Sequence, residues 1–388
     1  MSHRIDAAEA LPDSLLEAIR SRAAGYDERN GFPHEDLDAL AAVGYLAAFV
    51  PREVGGLGAG LDDVVRFQRR LAAAAPATAL AVNMHLVWTG VARLLADRGD
   101  DSLAFVLEEA GAGEVFAFGV SEAGNDAVLF DSLTDAVPQP DGGYRFTGTK
   151  VFTSLAPRWT RLGTFGKDTS GEEPLLVWGF IRRDQPGWRH LEDWDTLGMR
   201  ATQSCTTVLE GVHAPADRIV RRLPVGPSPD LLVFGVFAVF ETLLAAVYTG
   251  LAERALQLAV EAAHRRRSHR SGGRPYAQDP DIRWQLAEAA MALDAVLPQL
   301  ERVAADLDAG VDRGAGWFRA LSGLKHRAAS TAKDVVDTAL RVGGGGAYFR
   351  GGELERLYRD VLAGLYHPSD PESAHATVAK DLLGPLEP

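Results

Sequence analysis

Apolar residues recur every three or four positions through the first part of the chain, which is the spacing of one buried face of an α-helix. The pattern predicts helices over 14–24, 35–42, 61–75 and 79–97, with Pro76 separating the last two. The glycine-rich segment Gly55–Gly60 is predicted to connect two helices, because it lacks the Lys-Ser/Thr pair of a phosphate-binding loop.

The pattern changes between Gly113 and about Gly226. Short runs rich in β-branched and aromatic residues are interrupted by Gly, Pro and Asp, as in VFAFGVS, GYRFTGTKVFTS, RLGTFG, LLVWGFIRR and TTVLEGVHA. Asp141-Gly142-Gly143 has the composition of a hairpin turn. This region is therefore predicted to be all β.

Helical spacing returns from Asp230 onward. The predicted helices cover 231–263, 280–308, 314–342 and 352–363, with a polar loop at His269–Pro280. We therefore predict three domains, helical over 1–112, all-β over 113–226 and helical over 227–388. The fold class is mainly α with a central all-β domain, which differs from an alternating βαβ chain.

The segment Leu231–Leu251 is long and apolar enough to cross a membrane. Glu241 lies at its centre, where an acidic side chain costs roughly 2.5–3.5 kcal/mol to insert, and no basic cluster flanks the segment closely. We predict a buried core helix, with a membrane span as the alternative.

The net charge of −13 argues against nucleic acid as the main partner, because neutralising phosphates needs a basic surplus. The single cysteine, Cys205, excludes an internal disulfide and a cysteine-based zinc site, and no metal site is predicted. One cysteine suits a reducing cytoplasm, and the first twenty residues lack the apolar core of a signal peptide. We therefore expect a cytoplasmic protein.

Five segments, in order along the chain, resemble sequence motifs of the acyl-CoA dehydrogenase superfamily. They are FAFGVSEAGND (116–126), GGYRFTGTKVFTS (142–154), GMRATQSCTTVLEGVHAPADRIV (198–220), SGGRPYAQDPDIRWQLAEAAM (271–291) and the glycine block with RLYRD (340–360). The resemblance implies a helical amino-terminal domain, a β-barrel middle domain and a carboxyl-terminal four-helix bundle. It also implies FAD between the last two domains, and a homodimer or homotetramer in which a second subunit completes the site.

Three residues match positions that contact the flavin ring in this superfamily, namely Ser121, Phe152 and Ser154. An isoalloxazine ring needs an apolar wall and a few hydrogen bonds at its edge, which an aromatic residue and hydroxyl or backbone N–H groups supply. The alternative is that these are ordinary residues of the β domain, with Phe152 in its core.

Phosphate binding needs cations and accessible backbone N–H groups. Arg270 matches the arginine of the superfamily's Arg-x-x-Phe-Gly-Lys loop, with Arg267 as an alternative register. Gly344 and Gly345 belong to the glycine block, where the chain can approach a phosphate closely. Arg341 replaces a glutamine near the pyrophosphate, and a surface position is the equal alternative.

The chain departs from the superfamily at the catalytic glutamate. The Tyr-Glu-Gly-Thr segment that carries this base in most members is replaced by Tyr366-His367-Pro368-Ser369. His367 is a candidate base or proton donor, because its intrinsic pKa lies near neutrality. Glu241 lies one residue from the site at which a minority of members carry the base, and it replaces an arginine of the CoA-binding site.

Two activities follow from the resemblance. The first is FAD-dependent α,β-dehydrogenation of an acyl thioester, with Glu241 as the base and an electron-transfer flavoprotein as the electron acceptor. The second is a two-component monooxygenase that receives reduced flavin from a flavin reductase and hydroxylates a small molecule, with His367 and His85 near the flavin. The alternative for His85 is a helical residue that bonds to a backbone carbonyl, and for His367 a histidine at a helix end, where the helix dipole favours it. An interaction protein without flavin is the third alternative.

Overall fold

The computed structural model describes residues 4–386. Its element order is helical, then β, then helical, and the predicted fold class is confirmed. The first helical part contains six helices within the described residues. They are α1 (Ala7–Ala10), α2 (Asp13–Glu28), α3 (His34–Ala42), α4 (Leu61–Ala74), α5 (Pro76–Ala96) and α6 (Ala104–Gly111). The break between α4 and α5 falls at Pro76, as predicted, since proline occupies the first turn of a helix readily.

The central part is one eight-stranded sheet. Its strands are β1 (Phe116–Gly119), β2 (Asp135–Pro138), β3 (Tyr144–Lys150), β4 (Arg161–Asp168), β5 (Leu175–Arg182), β6 (Trp188–His190), β7 (Thr207–Ala214) and β8 (Ile219–Pro224). The strand order is β6-β7-β3-β2-β4-β5-β8, and β1 pairs in parallel with β4. The predicted hairpin turn at 141–143 joins β2 to β3 in antiparallel register, with Pro138 opposite Tyr144.

The last part is helical except for one small hairpin. Its helices are α7 (Leu231–Arg265), α8 (Pro280–Asp294), α9 (Leu297–Asp308), α10 (Gly316–Gly343), α11 (Glu353–Val361) and α12 (Pro371–Leu383). The hairpin pairs β9 (Arg267–Ser268) with β10 (Arg274–Pro275) inside the predicted polar loop, and its turn contains Gly272 and Gly273 at positive φ. The helix α12 was not predicted, although Asp370 caps it by accepting from the Ser373 N–H.

The single helix predicted over 280–308 was wrong, because the chain bends between α8 and α9. Pro298 is the second residue of α9. A proline in a continuous helix has no N–H to donate and clashes with the carbonyl four residues earlier. That residue is Asp294, at which α8 ends.

Two helices are long and apolar enough to cross a membrane, α5 and α7. In each case most of the apolar window is buried inside the protein, 89% for α5 and 78% for α7. The burial of α7 agrees with the predicted core helix. It packs against α4, α5 and α10, and Phe240 stacks on Phe118 of β1, with ring centroids 5.6 Å apart. The long helix thus joins the two helical parts to the sheet.

Candidate functional site

The loop after β3 carries an exposed aromatic residue. The side chain of Phe152 is 62% exposed, although it follows a strand whose residues alternate between core and surface. Its ring meets the Trp194 ring edge to face, with centroids 6.2 Å apart. The core position considered for Phe152 therefore does not occur in this structure.

Left-handed backbone conformations concentrate around Phe152. The φ angles are 59° for Phe152, 65° for Leu155, 53° for Met199 and 44° for Gln203. Such residues carry strain of about 1–2 kcal/mol each when they have side chains, and they cluster at functional sites. Two backbone hydrogen bonds join the loops that contain them, from Leu155 N–H to Thr202 O and from Ala156 N–H to Gln203 O, each 3.3 Å long.

Three buried hydroxyl groups form a relay beneath these loops. The Oγ atoms of Ser154 and Ser204 are 2.7 Å apart, and Ser204 Oγ is 2.7 Å from Thr202 Oγ1. Thr202 donates its proton to the carbonyl of Met199 at 2.9 Å. Since each hydroxyl has one proton, Ser204 donates to Thr202 and Ser154 donates to Ser204. Ser154 therefore offers only an acceptor lone pair to anything bound beside it.

Ser121 follows β1 and is anchored through its backbone. Its carbonyl accepts from Val151 N–H at 2.9 Å, which ties it to the loop that carries Phe152. Its hydroxyl has no hydrogen-bond partner within residues 4–386 and is partly exposed. The structure thus brings the three predicted ring-contacting residues into adjoining loops.

A buried ion pair fixes the segment that begins at Ser121. Lys150 Nζ lies 2.7 Å from Glu122 Oε1, and both side chains are nearly inaccessible. Burial by itself raises the pKa of Glu122, but Lys150 and the surrounding donors lower that pKa to about 2. The carboxylate also accepts from Ser132, Leu133 and Thr134. It therefore holds the 122–134 loop against the sheet.

The loop after β6 docks on α11. Asp360 accepts from Met199 N–H at 2.5 Å, and Gly198 approaches α11 so closely that an added Cβ would lie 2.2 Å from the Arg359 carbonyl oxygen. Arg359 in turn forms a bidentate pair with Asp27 of α2, at 2.6 and 2.9 Å. Elements from all three parts of the chain therefore meet at α11.

His367 lies in the segment that follows α11. Its Nδ1 is 3.0 Å from the hydroxyl of Tyr248, which is fully buried on α7. This hydroxyl has no other partner within the described part of the chain, and a buried hydroxyl must donate its proton. Nδ1 is therefore the acceptor, and the imidazole proton lies on Nε2.

Lys325 of α10 holds the same segment through three carbonyl groups. Its Nζ is 3.0 Å from Gly364 O, 2.6 Å from His367 O and 2.8 Å from Ser369 O. The lysine is 1% exposed. Three donated hydrogen bonds require the ammonium form, because a neutral amine has only two protons.

Glu241 points into this polar cluster. It is fully buried, and its Oε1 accepts from Ser369 Oγ at 3.0 Å, while Oε2 has no protein partner among residues 4–386. Burial raises the pKa of Glu241 to about 7 against the opposing effect of Lys325. The adjacent Phe240 is the residue of α7 that faces β1, so Glu241 is turned toward α10.

Of the predicted phosphate ligands, Arg270, Arg341 and Gly345 are exposed and Gly344 is partly buried. Arg270 is exposed at the turn of the β9–β10 hairpin and makes no side-chain hydrogen bond within residues 4–386. Arg341 is also exposed and pairs with Asp337 at 3.2 Å. Gly344 has φ 69°, and an added Cβ there would clash with Arg266, whereas Gly345 has open space.

The order and location of these features agree with comparisons to known proteins. Residues 7–102 match the amino-terminal domain of acyl-CoA dehydrogenase, and residues 242–369 match a carboxyl-terminal domain of the same family. An L-evernosamine nitrososynthase from Micromonospora sp. is 32% identical over 366 residues, which cover 90% of this chain and 83% of the relative. The chain belongs to the acyl-CoA dehydrogenase family. It is an enzyme of a flavin-dependent family.

Other similar members of the acyl-CoA dehydrogenase family differ in their assigned activity. A putative acyl-CoA dehydrogenase of Bacillus subtilis is 30% identical and covers 91% of each chain. A dibenzothiophene monooxygenase of Rhodococcus qingshengii is 28% identical, covering 94% of this chain and 90% of the relative. The structure of KijD3 in complex with FMN and a dTDP-amino-keto-sugar has a TM-score of 0.87 and 28% identity, covering 99% of this chain and 95% of that one.

The sequence analysis did not identify three residues of the candidate site. They are Tyr248, Lys325 and Asp360, which contact segments 39 or more residues away. Arg266 was also missed, although it contacts the glycine block by donating to Val342 O, whereas Arg270 and Arg267 were named. For Lys325 and Asp360, the sequence signal was a charged residue within a helix face of otherwise apolar spacing.

His85 has the structural role considered for it. It is fully buried in α5, with Nε2 2.7 Å from Leu46 O and Nδ1 accepting from Phe116 N–H at 3.1 Å. Burial lowers its pKa to about 4. Both ring nitrogens of this neutral histidine are used within the protein, and none is left for a substrate.

Proposed function

We propose that this chain is a flavin-dependent monooxygenase that transfers one oxygen atom from dioxygen to a small molecule. The observation that carries the proposal is the different accessibility of two side chains, Glu241 and His367. Glu241 is enclosed between α7 and α10, whereas His367, in the segment that replaces the family's base, is partly exposed and keeps Nε2 available. An imidazole whose Nε2 already carries its proton can donate a hydrogen bond to an oxygen atom, but it cannot remove an α-proton from a thioester.

The relatives support this choice. A nitrososynthase and a dibenzothiophene monooxygenase are among the similar proteins with assigned activities, at 32% and 28% identity over most of the chain. The first name describes formation of a nitroso group, and the second describes oxygenation of dibenzothiophene, a sulfur-containing compound. We infer a nitrogen- or sulfur-containing small molecule as the substrate class for this chain.

The residues around Phe152 fit a flavin ring. An exposed ring at Phe152, a free hydroxyl at Ser121 and an accepting hydroxyl at Ser154 supply an apolar face and polar edges. Bound flavin would supply two electrons, by which one oxygen atom enters the substrate and the other leaves as water. The accepting Ser154 hydroxyl favours the reduced ring, which carries an extra N–H, and this agrees with delivery by a flavin reductase.

Binding of a flavin is better supported than binding of FAD in particular. KijD3 binds FMN, as its structure's description states, and FAD was our prediction for this chain. We propose that Gly344, Gly345 and Arg270 serve a flavin phosphate, with Arg270 reaching the site of a second copy in a homodimer or homotetramer. The exposed, unpartnered guanidinium of Arg270 within the described residues supports this role.

His367 acts in this proposal as a neutral hydrogen-bond donor. Burial and the ammonium of Lys325 lower the pKa of His367 to about 3, so the ring is uncharged at neutral pH. Its donor function is set by the Tyr248 hydrogen bond, which places the proton on Nε2. We therefore expect the charge of the His367 ring itself to stay constant between about pH 5 and 8.

The test supplies reduced FMN and isotopically labelled dioxygen, with dibenzothiophene and an amino sugar nucleotide as probe substrates. We expect a product that gains labelled oxygen, and a His367→Gln variant in which product falls about 100-fold while hydrogen peroxide rises. Equal product yield from the variant would overturn the role of His367. Failure of the wild-type protein to bind any flavin would overturn the proposed function.

Dehydrogenation of an acyl thioester is the second candidate, and the similarity to the putative acyl-CoA dehydrogenase of Bacillus subtilis favours it. It requires Glu241 to reach the substrate. Anaerobic addition of butyryl-CoA to the oxidised flavin-loaded protein tests it. Bleaching of the flavin that is lost in Glu241→Gln would establish this activity in place of oxygen transfer.

A further inference from the structure

We propose that Lys325 is a positioning residue that holds His367 in place by gathering three carbonyl groups of its segment around one ammonium. The proposal rests on the proposed function for its catalytic consequence. Its structural half, that Lys325 sets the conformation of the segment 364–369, stands on geometry alone.

The hydrogen bonds of Lys325 exhaust its donors. The three carbonyls belong to Gly364, His367 and Ser369, so they lie on both sides of the imidazole and at its own residue. Within the described chain, these carbonyls have no N–H partner from a helix or strand. Lys325 therefore replaces the regular backbone hydrogen bonds that this irregular segment lacks.

The charge of Lys325 is balanced nearby without a direct ion pair. Glu241 reaches the segment through Ser369 Oγ, which also contacts Ser322 of α10 at 3.2 Å. A buried ammonium is stable only with a compensating charge and satisfied donors. Glu241 and Asp370 are the carboxyl groups whose charge acts on Lys325. The residue predicted as the catalytic base therefore serves in this account, together with Asp370, as a counter-charge of the positioning residue.

Tyr248 completes the arrangement from the opposite helix. Lys325 fixes the backbone of His367 from α10, and the Tyr248 hydroxyl fixes its Nδ1 from α7. With both anchors in place, Nε2 has one orientation and carries the proton. Loss of the backbone anchor frees the ring from Tyr248 and lets both tautomers form.

The charged and titratable groups around His367 belong to several elements. Lys325 on α10 and Tyr248 on α7 act on the ring directly. Glu241 on α7 and Asp370 before α12 act on Lys325, and Asp360 on α11 acts on Tyr248. Replacing Lys325 removes a positive charge, which by itself raises the pKa of His367. The tautomer of the neutral ring is therefore the informative quantity, since it depends on which nitrogen meets Tyr248.

The experiment measures imidazole nitrogen chemical shifts in flavin-free protein labelled at histidine, with His367 assigned by its loss in His367→Gln. Lys325→Met is compared with Lys333→Met, a lysine of the same helix whose amino group has no hydrogen bond among the described residues. We expect a single Nε2–H tautomer in wild type and Lys333→Met, and a mixture in Lys325→Met. A single tautomer in Lys325→Met overturns the proposal.

A double variant covers a failure of Lys325→Met to fold. Lys325→Met with Glu241→Gln removes both charges together, and such replacement of a buried pair is often neutral for stability. We expect it to fold and to show the same tautomer mixture. Retention of the wild-type tautomer in the folded double variant overturns the proposal equally.

The catalytic consequence is read from coupling, the ratio of oxygenated product to hydrogen peroxide. We expect coupling to fall about tenfold or more in the double variant, while the dissociation constant for FMN stays within about twofold. Unchanged coupling with mixed tautomers overturns the positioning role and leaves oxygen transfer intact. Failure of oxygen transfer itself shows in the wild type, before any variant is compared.

Discussion

At the scale of single residues, the site depends on which side-chain protons are already used in hydrogen bonds within the protein. Ser154 donates into the relay with Ser204 and Thr202, so it meets a ligand as an acceptor. Tyr248 donates to His367, so that imidazole meets a ligand as a donor. The Ser154 hydroxyl and the His367 imidazole therefore have opposite hydrogen-bond polarity, fixed by buried partners.

Replacement of Ser204 tests the polarity of Ser154. In Ser204→Ala the Ser154 proton is no longer committed, and Ser154 can donate to oxidised flavin as well as accept from reduced flavin. We expect the preference for reduced over oxidised FMN to fall about fivefold, which corresponds to about one neutral hydrogen bond. The midpoint potential of bound FMN reports this ratio. Ser21→Ala, at a helical serine bonded to its own helix, serves as the control.

Replacement of His85 tests the buried neutral histidine through pH. The folded-state pKa of about 4 lies below the ordinary value of 6.5, so the folded chain binds fewer protons than the unfolded chain between these values. The stability contributed by His85 is complete above pH 6.5 and is lost as the pH falls toward 4.

We therefore expect the stability difference between wild type and His85→Gln to shrink by about 3 kcal/mol between pH 6.5 and 4, measured by urea unfolding at each pH. A constant difference across this range would show that His85 titrates normally in the folded protein.

At the scale of elements, loops are held by buried ionic groups where regular hydrogen bonding ends. Glu122 and Lys150 fix the loop after β1, and Lys325 fixes the segment after α11. Both lysines are almost completely buried, at 0% and 1% exposure. The two loops that carry Ser121 and His367 are thus anchored by the same physical device.

Lys150→Met tests the anchoring of a loop by a buried lysine at a place away from the segment 364–369. It leaves the Glu122 carboxylate buried without its counter-ion, and we expect a loss of about 3–5 kcal/mol in the free energy of unfolding. Lys167→Met is the matched control, because Lys167 pairs with Asp131 at a partly exposed position and should cost about 1 kcal/mol or less. Equal losses in the two variants would contradict the special role of the buried pair.

The elements were predictable where their signal is local. Apolar periodicity gave the helices α2 to α5 and α7, and alternation with turn residues gave the strands. The break between α8 and α9 was missed because the apolar pattern continues across it, although Pro298 marks it. The helix α12 was missed because its apolar pattern is weak, and only its Asp-Pro-Glu start signals it.

The candidate site was predictable only in part, for the same reason. Ser121, Phe152 and Ser154 stand in local motifs, so the sequence could name them. Tyr248 and Lys325 contact His367 across 119 and 42 residues, and nothing in a single sequence pairs them. Their roles depend on how three helices pack, which local patterns do not contain.

At the scale of the whole molecule, the short helix α11 belongs to the last part of the chain and contacts the other two parts. The amino-terminal part reaches α11 through Asp27, and the sheet reaches it through Met199, whose loop also carries the strained residues. His367 follows the same helix by a few residues. The fold of the acyl-CoA dehydrogenase family is therefore retained, and within it His367 is held by Lys325 and Tyr248.

The most direct test of oxygen transfer mixes the protein, loaded with reduced FMN, with oxygenated buffer in a stopped-flow spectrophotometer. Oxygen transfer predicts a spectrally distinct transient before oxidised FMN forms, and its loss in His367→Gln but not in Lys333→Met. Direct, single-phase formation of oxidised FMN in the wild type, together with bleaching of the oxidised protein by butyryl-CoA, would contradict the proposed function.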